Sequence, residues 1–225
     1  IFADAPADVL VLEVGMGGEW DSTNVANGDV AVFTPISLDH MDRLGNTIEE
    51  IAKTKAGIIK PGAIVLSSEQ PAEALKVIAD RAAEVGEKFL SYGKDFALTA
   101  TSLNKLGQTV TVKSVAGEYH DLNLPVHGEY QAQNATLAVA AVEAFLGGGV
   151  QRIMDDVVRA SFADFSSPGR LQIVSREPLT ILDAAHNEDG AKSLVKAMKD
   201  GNHSLDAAKD AAGWTPLRSR RLRAI

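Results

Sequence analysis

The sequence contains no cysteine, so disulfide bonds and thiolate metal sites are excluded. Nothing in it therefore indicates an oxidising compartment, and we predict a cytoplasmic protein. The sequence also lacks an apolar run of about 18 residues and a charged leader followed by an apolar segment. These absences argue against a membrane span and against a signal peptide.

Basic residues are fewer than acidic ones, with 22 Lys and Arg against 30 Asp and Glu, which gives a formal net charge of -8. Nucleic-acid binding needs a basic face that neutralises phosphates, so we predict no nucleic-acid partner and favour a small-molecule substrate. Hydrophobic residues make up 45% and charged residues 23% of the chain, as is typical of globular proteins. A chain of 225 residues suffices for one large domain, or for one domain and part of another.

Apolar strands and amphipathic helices alternate in the first part of the chain. Residues 9–14, 30–38 and 62–67 are short apolar runs that are typical of buried strands in a parallel sheet. A capping-box pattern at Thr47 opens a helix after the second run, and Pro71 opens another helix after the third. This alternation predicts an α/β fold with a doubly wound, mostly parallel sheet.

The pattern changes after the first α/β segment. Residues 96–124 alternate Val, Thr and Leu between turn glycines, which predicts β-hairpins appended to the sheet. Residues 131–146 and 153–162 have the composition and periodicity of helices. We therefore predict a central domain over residues 1–165, followed by a linker of small residues and proline at residues 166–169.

A second α/β domain is predicted to start at the linker and to extend to residue 199. Residues 171–174 and 179–182 resemble strands, and residues 189–199 resemble a helix. Beyond them the apolar periodicity fades, and residues 200–225 are predicted to be an irregular or non-native tail. Its arginines favour a solvated tail over a basic patch that binds anions.

The first candidate site is the glycine-rich segment at residues 12–25. If residues 9–14 form a strand, Glu13 stands at its carboxyl end, where ligands of open α/β sheets bind, and a carboxylate there suits Mg²⁺. The spacing of Gly15, Gly17 and Gly18 matches neither a Walker loop nor a dinucleotide fingerprint. On this segment alone, a simple glycine-rich turn with Glu13 in a salt bridge is the favoured interpretation.

The second candidate is His40, which closes the next apolar run. A neutral imidazole that converges with Glu13 at one sheet edge provides a partial shell for a divalent ion that keeps its waters. Asp39 and Asp42 either orient His40 or face solvent. An isolated histidine is more often a structural residue than a metal ligand.

The third candidate is Lys55, which falls on the apolar face of its predicted helix, unlike Lys53 and Lys60. Burial lowers the pKa of a lysine and favours the neutral amine, which acts as a base or adds CO₂ to become a carbamate able to help hold a metal. The alternative is a lysine whose stem covers the helix face while its ammonium stays in water.

Several motifs, taken in order, resemble those of the folylpolyglutamate/dihydrofolate synthases, members of the Mur ligase superfamily. They are EVGMGG from Glu13 with DSTN from Asp21, LDH from Leu38, KAGIIKPG from Lys55, LPVHGEYQAQNATLA from Leu124, SSPGRLQIV from Ser166 and LTILDAAHNEDGA from Leu179. The resemblance covers about residues 9–199.

The resemblance implies a role for individual residues. It implies Glu13 and His40 as Mg²⁺ ligands and Lys55 as the lysine that is carbamylated in the family. It further implies that Asn134, Arg170 and Asp183 bind ATP and that His186 lies close to this site. Lys55 and His186 are thus the catalytic candidates. The alternatives are a helix-face amide at Asn134, a linker salt bridge at Arg170 and, for the neighbouring Asn187, a helix N-cap.

The sequence departs from the family pattern in two ways. The family usually has a basic residue where Glu19 stands, which alters the charge near the predicted metal. No G-x-x-x-x-G-K-[ST] motif occurs, although the family needs that loop to hold the ATP phosphates. We expect the loop to lie upstream of Ile1 in a longer parent, and we expect this chain alone to have little or no ligase activity.

The implied reaction of the parent uses ATP and Mg²⁺ to phosphorylate the carboxylate of folate or dihydropteroate, after which the amine of L-glutamate displaces phosphate to form an amide. A monomer is expected. Two alternatives are kept open, namely a Mur-type ligase of peptidoglycan precursors and a non-catalytic remnant that binds nucleotide or metal.

Overall fold

The computed structural model describes residues 7–104, 106–176 and 179–209. The helices and strands, in chain order, are β1 (Val30–Phe33), α1 (Met41–Leu44), α2 (Ile48–Ala56), β2 (Ile64–Ser67), α3 (Ala72–Val85), β3 (Phe89–Ser91), β4 (Ala97–Leu103), β5 (Gln108–Lys113), β6 (Glu118–Leu124), α4 (Glu129–Gly147), α5 (Asp155–Ala163), β7 (Gln172–Arg176), β8 (Leu179–Leu182) and α6 (Glu188–Lys209). None of the helices in these ranges is long and apolar enough to cross a membrane.

The first three strands form a parallel sheet in the order β1-β2-β3, which confirms the predicted α/β architecture. One hydrophobic cluster joins the sheet to α2 and α3, and includes Phe33, Ile51, Val65 and Ile78. A second cluster joins Leu66 and Leu90 of the sheet to α4. Helices therefore cover both faces of the sheet, as expected for a doubly wound arrangement.

The predicted capping box is present at the start of α2. Thr47 Oγ1 accepts a hydrogen bond from Glu50 N at 3.2 Å, and the Glu50 carboxylate accepts one from Thr47 N at 3.2 Å. The helix ends at Gly57, and α3 ends at Gly86, which is in the left-handed conformation with φ 78°. These local signals set α2 so that Lys55 lies in its last turn.

The prediction of a strand at residues 9–14 is wrong, because this segment forms no strand. An apolar strand of a parallel sheet needs a hydrogen-bonded neighbour and apolar cover on both faces. Within the described ranges β1 pairs with β2 alone, and Val11 is 88% exposed. Glu13 consequently does not stand at the end of a strand, and its side chain is exposed.

The predicted β-hairpins form an antiparallel sheet in the order β4-β5-β6. Its inner face packs against α4 and α5 through a cluster that includes Val112, Leu122, Ala132, Val158 and Phe162. The hairpins thus share α4 with the parallel sheet, since α4 contributes to both clusters.

The last described elements follow an irregular segment that includes the predicted linker at residues 166–169. β7 and β8 pair antiparallel, and α6 follows them. Both predicted strands and the helix are present, and α6 continues past residue 199 to Lys209. The rest of the predicted tail, residues 210–225, lies outside the described residues.

Candidate active site

Asp21 organises the glycine-rich loop. One of its carboxylate oxygens accepts hydrogen bonds from Gly15 N and Met16 N, both at 3.1 Å. The other accepts from Thr23 N at 2.9 Å and from Thr23 Oγ1 at 2.7 Å, which caps the short 3₁₀ helix Ser22–Val25. These donors, those of Thr23 first, lower the pKa of Asp21 to about 2.

The same loop docks on the carboxyl end of α2. Glu19 N donates to Thr54 O at 2.9 Å, and a Cβ on Gly18 would lie 2.8 Å from Lys55 O, so the close approach requires glycine. Lys60 Nζ donates to Asn24 O and, at 2.7 Å, to Ala26 O. The loop is therefore fixed against the helix that carries Lys55.

Glu19, where the family pattern has a basic residue, contacts α2 through its main chain. Its exposed side chain is directed past Gly57, where an added Cβ would come within 2.6 Å of Glu19 Cβ. The main chain at position 19 therefore helps to hold the loop against α2 through its N–H group, whatever the side chain. Its acidic group stands at the end of α2 that also holds Lys55.

His40 is held in an unusual backbone conformation in the loop between β1 and α1. Its φ of 49° and ψ of 40° are left-handed, which costs a non-glycine residue about 1 kcal/mol. Its carbonyl accepts from Arg43 N and Leu44 N, both at 2.9 Å, and its half-exposed ring lies 4.0 Å from Asp39 Oδ1. The imidazole is thus presented to solvent beside a carboxylate.

Asp39 and Asp42 behave differently. Asp39 Oδ1 accepts from His40 N at 2.8 Å, so it helps to shape the His40 loop. Asp42 is exposed and lies 3.7 Å from the side chain of Arg43. Of the two carboxylates considered as orienting groups for His40, Asp39 is therefore the one in contact with it.

Lys55 is half-buried in the last turn of α2, as predicted. Burial lowers the pKa of its amine, and the negative charge of Asp39 partly opposes this effect. Lys53 on the same helix is exposed and pairs with Glu49 at 2.7 Å. Lys55 is thus the lysine of α2 whose pKa burial lowers, and it lies within electrostatic range of Asp39.

Asp183 shapes a second loop, which follows β8. One carboxylate oxygen accepts from Leu171 N at 2.9 Å and the other from Ala185 N at 2.8 Å. Arg170 is exposed and immediately precedes Leu171. Arg170 also lines a cavity of about 260 Å³, together with His127, Pro125 and Ser166.

Tyr130, at the start of α4, is a neighbour of this loop that sequence reasoning missed. Burial raises the pKa of its hydroxyl, the charge of Asp183 adds to the effect and that of Arg170 opposes it. Asn134 lies one helical turn further along α4, on the same face as Tyr130, and is exposed. Arg170 and Asp183 therefore lie near the start of α4, and Asn134 belongs to the helix itself.

The loops after β1 and β8 meet at Asn187. Its Oδ1 accepts from Gly190 N at 2.9 Å and caps α6, as the alternative interpretation predicted, while Nδ2 donates to Asp39 Oδ2 at 3.1 Å. The Asn187 hydrogen bond, above all, lowers the pKa of Asp39, and the charges of His40 and His186 add to the effect. His186 is exposed, and its Nδ1 lies 3.1 Å from Ala184 O.

The predicted site residues thus fall into groups. The side chains of His40, Lys55 and His186 lie within electrostatic range of Asp39. Those of Arg170 and Asp183 lie within electrostatic range of Tyr130. Over the described ranges, no cluster of three or more His, Asp or Glu residues is arranged to hold a metal. His40 and Asp39 offer an imidazole and a carboxylate to a divalent ion that keeps waters and takes further oxygens from a ligand. In the described structure, Glu13 makes no hydrogen bond or ion pair with either of them.

Comparisons with known proteins identify the family of the chain. Residues 2–142 match the model of the Mur ligase middle domain. A dihydrofolate synthase/folylpolyglutamate synthase of Mycobacterium tuberculosis is 45% identical over 204 residues, which are 88% of this chain and 42% of that protein. A folylpolyglutamate synthase of Lacticaseibacillus casei is 37% identical over 198 residues, 88% of this chain and 46% of that protein.

Solved structures give the same result. The structure of Mycobacterium tuberculosis folylpolyglutamate synthase complexed with ADP and AMPPCP has a TM-score of 0.84 and 42% identity, covering 88% of this chain and 45% of that one. An FPGS–AMPPCP–folate complex has a TM-score of 0.81 and 36% identity, covering 84% and 46%. The chain spans less than half the length of these relatives.

Proposed function

Because this chain belongs to the Mur ligase family, we propose that it is part of an ATP-dependent amide ligase of the folylpolyglutamate/dihydrofolate synthase type. The observation that carries the proposal is the 45% identity that extends over 88% of the chain to a dihydrofolate synthase/folylpolyglutamate synthase. The proposed substrates are folate or dihydropteroate, L-glutamate and ATP. They are supported by relatives that are complexed with ADP, AMPPCP and folate.

In the proposed reaction, His40 beside Asp39 serves the metal together with Glu13, and the residues around Tyr130 serve the nucleotide. His40 and Glu13 would hold Mg²⁺, which when bound supplies charge neutralisation at the transferring phosphoryl group. Arg170 is suited to phosphate oxygens because its guanidinium donates in a fork, and Asp183 is suited to accept from ribose hydroxyls. Asn134 adds an amide on the exposed face of α4, and His186 is proposed as a catalytic group because it lies within electrostatic range of Asp39.

Lys55 is proposed to carry a carbamate. Its lowered pKa increases the share of neutral amine, which attacks CO₂ through the nitrogen lone pair and loses a proton to water. The product replaces a cation with an anion within electrostatic range of Asp39. A ¹³C carbamate signal in bicarbonate-treated protein, absent from Lys55→Arg and retained in Lys53→Arg, is expected; an identical spectrum for the Lys55→Arg variant would contradict the assignment.

Ligase turnover by this chain alone is expected to be very low, since no G-x-x-x-x-G-K-[ST] segment occurs in its 225 residues. The test measures ADP release with ATP, Mg²⁺, L-glutamate and either dihydropteroate or folate, beside a full-length relative as control. A rate comparable with that of the relative would contradict the expectation.

The same assay with peptides linked to nucleotides would reveal a peptidoglycan-precursor ligase instead. Calorimetry with Mg-ATP would identify a chain that binds nucleotide without turnover, in which case Asp183→Ala should remove the heat of binding and Asp164→Ala should not. Size-exclusion chromatography with light scattering tests the predicted monomer.

A further inference from the structure

A single side-chain hydrogen bond connects two loops that are far apart in the sequence. Asn187 Nδ2 donates to Asp39 Oδ2 at 3.1 Å across a separation of 148 residues. Asp39 belongs to the loop between β1 and α1, and Asn187 belongs to the loop between β8 and α6. The bond therefore joins the parallel-sheet part of the chain to its last described elements.

Both partners are oriented by a second hydrogen bond. Asn187 Oδ1 accepts from Gly190 N at 2.9 Å and thereby caps α6, which leaves its amide nitrogen to face Asp39. Asp39 Oδ1 accepts from His40 N at 2.8 Å, which leaves Oδ2 to face Asn187. Neither side chain can rotate away from the other without losing a contact within its own loop, so the pair is preorganised.

The neighbours of the pair are the residues on which the proposed function depends. His40 follows Asp39 directly and His186 precedes Asn187 directly. Lys55 and His186 both lie within electrostatic range of the Asp39 carboxylate. We propose that Asp39 and Asn187 are positioning residues whose hydrogen bond holds the loop of Asp183 and His186 against the loop of His40 and beside Lys55.

A second polar contact between the same parts is weaker by its nature. Glu129 of α4 pairs with Lys196 of α6, but both side chains are well exposed, and exposed ion pairs contribute little because water screens them. The Asp39–Asn187 bond is charge-assisted and fixed at both ends. It is therefore the contact expected to set the distance between the two loops.

Two substitutions separate the bridge from the helix cap. Asn187→Asp keeps an oxygen for Gly190 N, since aspartate is as good an N-cap as asparagine, but replaces the donor toward Asp39 with a like charge. Adding Asp39→Asn restores a donor and an acceptor with reversed polarity. In D39N/N187D, residue 39 still accepts from His40 N and donates to residue 187.

The distance between the loops is measured directly with spin labels, which the absence of native cysteine makes simple. Labels are attached to Asn46→Cys and Ala191→Cys, both at exposed positions of the full chain. Asn187→Asp is expected to broaden the distance distribution about twofold, and D39N/N187D is expected to return it to the starting width. Asp42→Asn, which alters an exposed carboxylate of the same loop, is the control that leaves the width unchanged. Circular dichroism confirms that each variant is folded.

Two results would overturn the proposal. One is an unchanged width of the distance distribution in Asn187→Asp. The other is a distribution in D39N/N187D that is as broad as in Asn187→Asp, because a hydrogen bond between the two residues predicts that exchanging them restores the width. The positioning role of the Asp39–Asn187 bond rests on the proposed function only in naming the ligand site to which the two loops belong. Calorimetry with Mg-ATP tests that function separately, so absence of binding with intact rescue would reject the function and leave the positioning contact in place.

Discussion

Glu143 is a carboxylate that is entirely buried, yet each of its oxygens is satisfied. It accepts from Ser114 Oγ at 2.6 Å, Ala116 N at 2.8 Å and Tyr119 OH at 2.7 Å, and Tyr119 OH in turn accepts from Ile153 N at 2.9 Å. These bonds connect α4 to the β5–β6 turn and to the segment before α5. The network is a structural anchor, because its donors point inward and leave no open position for a ligand.

Replacing Glu143 with alanine would leave buried donors without an acceptor. We expect Glu143→Ala to lower the free energy of unfolding by about 3 kcal/mol, since a buried donor that loses its partner costs about 1–3 kcal/mol. Urea denaturation measures the change. Glu118→Ala, which removes an exposed carboxylate nearby, is the control and should stay within about 0.5 kcal/mol of the parent. A loss below about 1 kcal/mol for Glu143→Ala would contradict the anchoring role.

Asp21 is expected to make the glycine-rich loop sensitive to acid. Its pKa of about 2 in the folded chain lies below its ordinary value of 3.8, so its contribution to stability is present above pH 3.8 and is lost as the pH falls toward 2. NMR titration of the Asp21 carboxyl carbon should give a midpoint near 2. Thr23→Val, which removes the hydroxyl donor, should move the midpoint upward, and a midpoint near 3.8 in the parent would refute the proposed hydrogen-bond set.

The residue-scale features differ in how far the sequence predicts them. The partial burial of Lys55 is confirmed, because helical periodicity alone puts it on the apolar face, and the N-cap at Asn187 follows from local spacing. The Asp39–Asn187 bond was not predicted, because it depends on how two distant segments pack. The hydrogen-bonding role of Asp21 was not predicted, although its spacing from Thr23 is typical of a local aspartate turn.

At the scale of elements, the capping box of α2 offers a test of local stabilisation. Thr47→Ala removes the acceptor for Glu50 N and is expected to cost about 1 kcal/mol of unfolding free energy. The measurement is chemical denaturation beside Thr34→Ala, an exposed loop threonine whose carbonyl, not its hydroxyl, accepts from Gln70. Equal stabilities of the two variants would show that the cap contributes nothing.

Elements with local start and stop signals were predicted well, and elements that depend on a neighbour were not. Helices α2 and α3 have a capping box, a proline or a terminal glycine that fixes their ends. Residues 9–14 have the composition of a buried strand, but a strand forms only where a second segment pairs with it. In the described structure, β1 pairs with β2 and not with residues 9–14. The antiparallel pairing of β7 with β8 follows from their short connection, which cannot support a parallel crossover.

At the scale of the whole molecule, the hydrophobic cores and the candidate site are distributed differently. In the part of the chain that the structure describes, the buried members of the three hydrophobic clusters lie between Ala31 and Phe162. Arg170, Asp183 and His186 all lie beyond that range. The described segment that carries Arg170, Asp183 and His186 therefore adds no buried member to the three clusters, although Leu171 at its start is buried.

This distribution predicts the effect of shortening the chain. A chain that ends at Phe165 keeps every buried member of the three clusters and should unfold cooperatively in urea, within about 1.5 kcal/mol of the parent. Among the side chains that the structure describes beyond Phe165, the buried hydrophobic one is Leu171. A chain that ends at Gly149 also loses Val158 and Phe162, and should lose about 3 kcal/mol or more. If the chain ending at Phe165 unfolded without a cooperative transition, the C-terminal elements would be part of the core, and the domain boundary predicted at residue 165 would be wrong.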